Sequence, residues 1–186
     1  MNKILSKYDL IKHFGKLGLK VGAEIGVSQG HLSEAMFDSI PGLKLYCVDI
    51  WQPYRGNRWS ANQVKNDAFF KTTKDRLEKH NAIIIKDTSM NAIKMIPDGS
   101  LDFVYIDSNH SYDYVMEDLI HWTKKVRKGG MVTGDDYYDF RGAGVIQAVD
   151  DYTKAHGIKF ELTDPCSKNI RDRNGFEQPT FYWTKK

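Results

Sequence analysis

The feature that most constrains this chain is an alternation. Short apolar runs rich in β-branched residues are separated by stretches of helical periodicity. The apolar runs are Val21–Ile25, Leu43–Asp49, Ala82–Lys86, Leu101–Ile106, a run beginning at Gly130–Thr133, Ile158–Leu162 and Thr180–Thr184. The first six are separated by helical stretches at Gln29–Ser39, Val64–Lys79, Met90–Ile96, Tyr112–Val126 and Gly144–Ala155, after a leading helix at Leu5–Leu19. In the Tyr112–Val126 helix, Val115, Leu119, Trp122 and Val126 fall on one face. Strands alternating with helices of this length imply β-α-β units and a mostly parallel sheet. No helical pattern separates the last two strands. Their connection is polar and carries Asp-Pro and Asn-Gly turn signals, so they are expected to pair antiparallel at one edge. The expected architecture is α/β: a seven-stranded, mostly parallel sheet with an antiparallel last strand and helices on both faces.

The chain has 186 residues, which suits one domain: a leading helix over 1–20 and a core over 21–186. Lys and Arg number 27 against 24 for Asp and Glu, a net charge of +3 interleaved along the chain. That balance disfavours nucleic acid or an anionic membrane as the main partner. No apolar run reaches the roughly 20 residues of a membrane helix, and MNKILSKYDLIKHFGK reads as an amphipathic helix, not a secretory leader. Cys47 and Cys166 are expected to be reduced thiols in a cytoplasmic protein.

The chemistry is expected where strands end. The first strand runs into GAEIGVSQGHLSEAM, with glycines at 22, 26 and 30 and a carboxylate at Glu24. Glycines at a strand-to-helix turn let the backbone approach a ligand and turn amide N–H groups toward it. The spacing is E-x-G-x-x-x-G. The G-x-G-x-x-G of nicotinamide-dinucleotide sites is missing, which weakens an NAD(P)-dependent oxidoreductase reading. The second strand ends in Asp49, about twenty residues past the loop, the separation expected of a carboxylate that binds vicinal ribose hydroxyls. The third strand ends in Asp87 and Thr88, within reach of a base edge. The fourth ends in YIDSNHSYDY and the fifth in VTGDDYYD, so Asp107, Asp135 and Asp136 are expected to converge in the crevice at the carboxyl ends of the strands. Three hard oxygen donors suit magnesium or a similar divalent cation. His110, on the Asp107 loop, is the candidate for taking a proton near neutral pH.

The sequence resembles the class I S-adenosylmethionine-dependent methyltransferases. The E-x-G-x-x-x-G loop, the acid at Asp49 and the antiparallel seventh strand carry the resemblance over nearly the whole chain. More narrowly, IDSNHSYDYVMEDLIHW, then KGG, then GDDY, is similar to the methyltransferase-24 type. Those proteins carry an I-D-G-x-H-x-Y segment and are related to catechol O-methyltransferase-like and cephalosporin-biosynthesis enzymes. The chain departs from that pattern at Ser108, where the family usually has Gly. The resemblance implies that Glu24, Gly26 and Gly30 hold the methionine part of the cofactor and that Asp49 binds the ribose. Ile50 would lie against the adenine, with Asp87 and Thr88 at its edge, and Asp107 would border both cofactor and metal. Asp107, Asp135 and Asp136 fall at the metal positions of catechol-type enzymes, with Asp136 in place of their Asn. His110 falls where those enzymes carry a lysine base.

The implied reaction is O-methylation of a small hydroxylated acceptor such as a sugar, a phenol or a natural product, assisted by a divalent metal. A non-catalytic cofactor-binding module is the remaining alternative. Tyr54, Arg55, Arg58 and Trp59, with Tyr137, Tyr138, Phe140 and Arg141, are candidates for an aromatic, cationic acceptor wall. A core of this kind leaves little chain for a separate substrate cap. The acceptor pocket is therefore expected from the leading helix, the loops at Gln52–Asn62, Tyr137–Gly142 and Thr163–Pro179, or a second subunit in a homodimer.

Overall fold

A computed structural model describes residues 4–54, 62–139, 143–163 and 178–186. Arg55, Arg58, Trp59, Phe140, Arg141 and Cys166 lie outside the described residues.

The alternation becomes α1 (Lys7–Lys16), β1 (Val21–Ile25), α2 (His31–Ser39), β2 (Lys44–Asp49), α3 (Gln63–Leu77), β3 (Ala82–Lys86), α4 (Ser89–Ala92) continued by a 3₁₀ turn at Ile93–Met95, β4 (Leu101–Ile106), α5 (Tyr112–Lys125), β5 (Val126–Gly134), α6 (Val145–Ala155), β6 (Glu161–Leu162) and β7 (Phe181–Thr184). The strands form one sheet in the order β3-β2-β1-β4-β5-β7-β6. β1 pairs parallel with β2 and β4, β2 with β3, and β4 with β5. β7 inserts antiparallel between β5 and β6. The expected mostly parallel sheet with an antiparallel last strand is the sheet observed.

Both faces are covered, which is why the central strands read as almost unbroken apolar runs. Side chains alternate across each strand. Ala23, Ile25, Val48, Val104, Ile106 and Val132 face α5 and α6, where Val115, Leu119, Trp122, Ala148 and Val149 complete one core. Leu45, Cys47, Phe103, Tyr105 and Met131 face the other way, against Leu10, Ile11, Phe14, Met36 and Leu77. Cys47 is a buried free thiol. Local signals set several helix starts: Ser6 Oγ accepts from the Asp9 amide, Asn62 Oδ1 from Lys65 and Thr88 Oγ1 from Asn91. No helix among the described residues is long and apolar enough to cross a membrane.

Most helix and strand ends shift by a few residues, and two strands differ most from the sequence reading. β5 starts at Val126, directly after α5, and not near Gly130. The exposed stretch around Arg127 and Lys128 hides the strand, and the register against β4 shifts between Leu101 and Phe103. β6 is two residues long, because only Glu161 and Leu162 find partners on β7, at Tyr182 and Phe181. Ile158 and Phe160 still pack against the core, which accounts for the longer apolar signal.

Candidate active site

The carboxyl ends of β1, β2, β3 and β4 open onto one cleft of about 1230 Å³. Glu24, Gly26, Asp49, Ile50, Asp87, Thr88, Asp107, His110 and Asp136 all line it, so most of the cofactor, catalytic and metal candidates are brought to one cavity. Gly30 and Asp135 are not among its lining residues. Tyr54 lines the cleft, but Tyr137 turns to Asp150, donating at 2.7 Å, and packs on Phe160.

The loop after β1 is shaped by backbone conformations that favour glycine. Gly26 has φ +96°, and a Cβ there would fall on the carbonyl of Asp107. Its amide donates to Val48 O at 2.8 Å, and the Asp107 amide to Ile25 O at 2.7 Å. The loop is thus pressed between the ends of β2 and β4. Gly30 closes it in the left-handed region, φ +74°, as the residue that starts α2. Asp49 Oδ2 accepts from the Ser28 amide and Oδ1 from the Trp51 amide, both at 2.8 Å, so this carboxylate holds the first loop as well as its own turn. Burial pushes its pKa up, against those amide donors. Asp87 is more open. The Asn91 side-chain amide at 2.9 Å and the Thr88 amide at 2.7 Å hold its carboxyl below the usual range.

Glu24 sits at the floor, 2 % exposed, accepting from Ser33 Oγ. Burial, reinforced by Asp107 and Asp49, pushes its pKa up to about 8 from 4.5, against the Ser33 hydrogen bond. The folded state therefore holds a proton that the unfolded chain releases above pH 4.5. Stability drains away as pH rises from there to about 8, and the loss is complete above that. Glu24→Gln should remove this part of the pH dependence and stabilise the ligand-free protein by about 1–3 kcal/mol at pH 8. Urea unfolding of both proteins at pH 5 and pH 8 reads it. An equal change with pH in the two would contradict the assignment.

In the same cleft, His110 Nε2 lies 3.4 Å from Asp107 Oδ1 and 3.3 Å from Asp136 Oδ2. The hydrogen bond to Asp107, with the nearby charges of Asp107 and Asp136, raises the pKa of the imidazole despite its burial. Asp107 is raised by burial and by Asp135. Asp136, in a left-handed conformation at φ +58°, is pushed up to about 7 by burial and by the charges of Asp107 and Asp135.

Of the three expected carboxylates, the structure gathers Asp107 and Asp136 and turns Asp135 elsewhere. Asp135 turns its oxygens to Lys7 Nζ at 2.7 Å and Thr180 Oγ1 at 2.9 Å. The group whose donor atoms gather within 4.8 Å is Asp107, His110 and Asp136. The hard carboxylate oxygens of Asp107 and Asp136 fit a divalent cation, with the His110 imidazole beside them. Burial, and after it the neighbouring carboxylate charges, raises both carboxyls, a cost that such an ion would offset.

Two participants were not anticipated. Lys7 reaches the cluster from α1, and with Tyr8 it makes the leading helix part of the cleft wall. Burial works against the charge of Lys7, but Asp135 outweighs it and raises the pKa. Nothing in the sequence marks this pairing beyond the position of Lys7 on an amphipathic helix. Asp118, buried on α5, also borders the cleft.

A model of the family described as "Methyltransferase domain", of the methyltransferase-24 type, matches residues 22–137, more than half of the chain. Among curated proteins, 46 residues are 41% identical to an uncharacterised protein, R132, of Acanthamoeba polyphaga mimivirus. The match covers 25% of this chain and 20% of that protein. Among solved structures, the chain is similar to the O-methyltransferase TomG of Streptomyces achromogenes, solved with S-adenosylmethionine (TM-score 0.66, 15% identity, 97% of this chain and 80% of that one). It is also similar to an O-methyltransferase of Bacillus cereus solved with S-adenosylhomocysteine (0.67, 11%, 96% and 80%) and to an rRNA-methylase-like protein of Clostridium thermocellum (0.69, 14%, 99% and 100%). At these identities the likeness is one of fold.

Proposed function

The chain belongs to the methyltransferase-domain family of the methyltransferase-24 type, and from that premise we propose that it transfers the methyl group of S-adenosylmethionine to an oxygen of a small hydroxylated acceptor. The observation that carries this reading is the single cleft onto which the Gly26 loop, Asp49 and the Asp107–His110–Asp136 group all open. The TomG and Bacillus cereus structures, with S-adenosylmethionine and S-adenosylhomocysteine bound to the same fold, support the cofactor. We read residues 1–186 as one such domain, with α1 as part of its site.

When bound, S-adenosylmethionine supplies an electrophilic methyl on a sulfonium, and a divalent cation supplies a Lewis acid for the acceptor oxygen. The protein supplies position and one proton acceptor. Asp49, already fixed by the Ser28 and Trp51 amides, accepts hydrogen bonds from the ribose hydroxyls. Ile50 would lie against the adenine, with Asp87 and Thr88 at its edge. Glu24 and the backbone of Gly26 would shape the methionine end, with Gly30 turning the loop into α2 behind them. Asp107 and Asp136 would hold the cation. His110 Nε2, poised between them, takes the acceptor proton. Asp135, tied to Lys7 and Thr180, anchors the leading helix to the strand ends. Methyl transfer is an in-line displacement, so most of the rate comes from alignment.

The test is titration with S-adenosylhomocysteine and with NAD, followed by turnover on a panel of sugars, phenols and other alcohols. We expect binding of the first ligand alone, and S-adenosylhomocysteine release with at least one acceptor. Chelation should cut that turnover at least tenfold, by order of magnitude for a lost Lewis acid. Full activity in metal-free buffer would remove the metal from the reading. NAD binding would favour an oxidoreductase, and cofactor binding with no turnover on any acceptor a binding module.

A further inference from the structure

Asp118 belongs to none of the motifs at the strand ends, yet its carboxylate is 3 % exposed at the cleft wall. A buried carboxylate is costly unless donors meet it. Two hydroxyls do so. Ser108 Oγ donates to Oδ2 at 2.6 Å, and Ser89 Oγ donates to Oδ1. Ser89 Oγ in turn accepts from the indole Nε1 of the fully buried Trp122 at 2.7 Å.

These donors come from different strand ends, Ser89 from the segment after β3 and Ser108 from the loop after β4. Ser89 opens α4, one residue past Thr88, at the end read as the adenine site. Ser108 follows Asp107 and leads to His110, at the end read as the reacting site. Ser108 is also where the chain departs from the I-D-G-x-H-x-Y pattern, and the hydroxyl that a glycine would lack is the one Asp118 receives.

We propose that Asp118 is a positioning residue that fastens the Asp107–His110 loop to the adenosine wall of the cleft, through Ser108 on one side and Ser89 on the other. The inference rests on the methyltransferase reading above. Removing either hydroxyl leaves a buried carboxylate short of a donor, and the shared carboxylate passes the disturbance to the other serine's segment. A substitution at Ser108 should therefore weaken binding of a ligand that occupies only the adenosine end.

The experiment is calorimetric titration of S-adenosylhomocysteine and of adenosine into wild type, Ser89→Ala, Ser108→Ala, Ser108→Thr, the Ser89→Ala/Ser108→Ala double variant and Asp118→Asn, with a melting curve for each. Ser108→Ala should weaken both ligands about three- to tenfold, Ser108→Thr should restore them, and the double variant should lose less than the product of the single losses. Unchanged adenosine binding in Ser108→Ala would overturn the proposal, as would strictly multiplicative losses. The serine variants keep the carboxylate and carry the test even if Asp118→Asn does not fold. Wild type that binds no S-adenosylhomocysteine would instead refute the cofactor reading, so the two failures are distinct.

Discussion

Replacing Gly26 with alanine is expected to weaken S-adenosylhomocysteine binding at least a hundredfold and to lower the melting temperature by about 6–12 °C. Two costs add. A non-glycine residue at φ +96° is strained by about 1–3 kcal/mol. The added Cβ would also meet the carbonyl of Asp107, which is backbone and has no rotamer to escape into. Forcing the two strand ends apart costs about 1–3 kcal/mol more. The separation also moves Ser28 away from Asp49, whose carboxylate holds that amide at 2.8 Å, so the loop and the ribose acceptor lose their registry together. Differential scanning calorimetry with a ligand titration reads both effects. Binding within threefold of wild type would show that the loop tolerates the extra atom.

The core of this prediction was legible from the residues. A glycine four residues before another, directly after an apolar strand, already marks a loop that approaches something closely. Asp49, Asp107 and Asp136 were legible for a related reason. A sheet of this kind gathers its strand ends on one side, so an acid at the end of each run is placed by topology alone. β1 and β4 are matched to the residue because each begins and ends on an apolar residue that a largely buried strand keeps. β5 was not, since its first turn of strand is exposed and polar.

Pairings over long sequence distances were illegible. Lys7 meets Asp135 across 128 positions, and no local pattern encodes that meeting. Without it, Asp135 could not be told apart from Asp136, its neighbour in sequence. Asp118 is a different case. It lies three residues from Val115 and beside Leu119, on the face that Trp122 completes, so a carboxylate stood among positions marked as core. That local conflict was a usable signal of a special role.

Asp107→Asn should abolish turnover while making the ligand-free protein more stable. Turnover is expected to fall about 10²- to 10⁴-fold, the range for removing a group that works in proton transfer. The amide keeps the shape of the carboxylate, but it carries no charge to orient the His110 imidazole 3.4 Å away or to hold a cation. Binding of S-adenosylhomocysteine should change less than tenfold, because the substitution leaves in place the Asp107 backbone against which Gly26 packs, and Asp49 and Thr88 lie on other strand ends. Stability moves the other way. Burial and then the Asp107 charge are the leading causes that push Asp136 up to about 7, and Asp107 also helps to raise Glu24. With the charge gone, Asp136 returns toward the ordinary carboxylate range. Its ionisation near neutral pH then costs the folded state less, a gain of about 1 kcal/mol at pH 7.5, or about 2–4 °C in melting temperature. A site that accumulates like charges spends stability on function, so loss of activity with a higher melting temperature would identify Asp107 as a functional and not a structural acid. Turnover within tenfold of wild type would place the chemistry elsewhere, and a lower melting temperature would mean that Asp107 supports the fold.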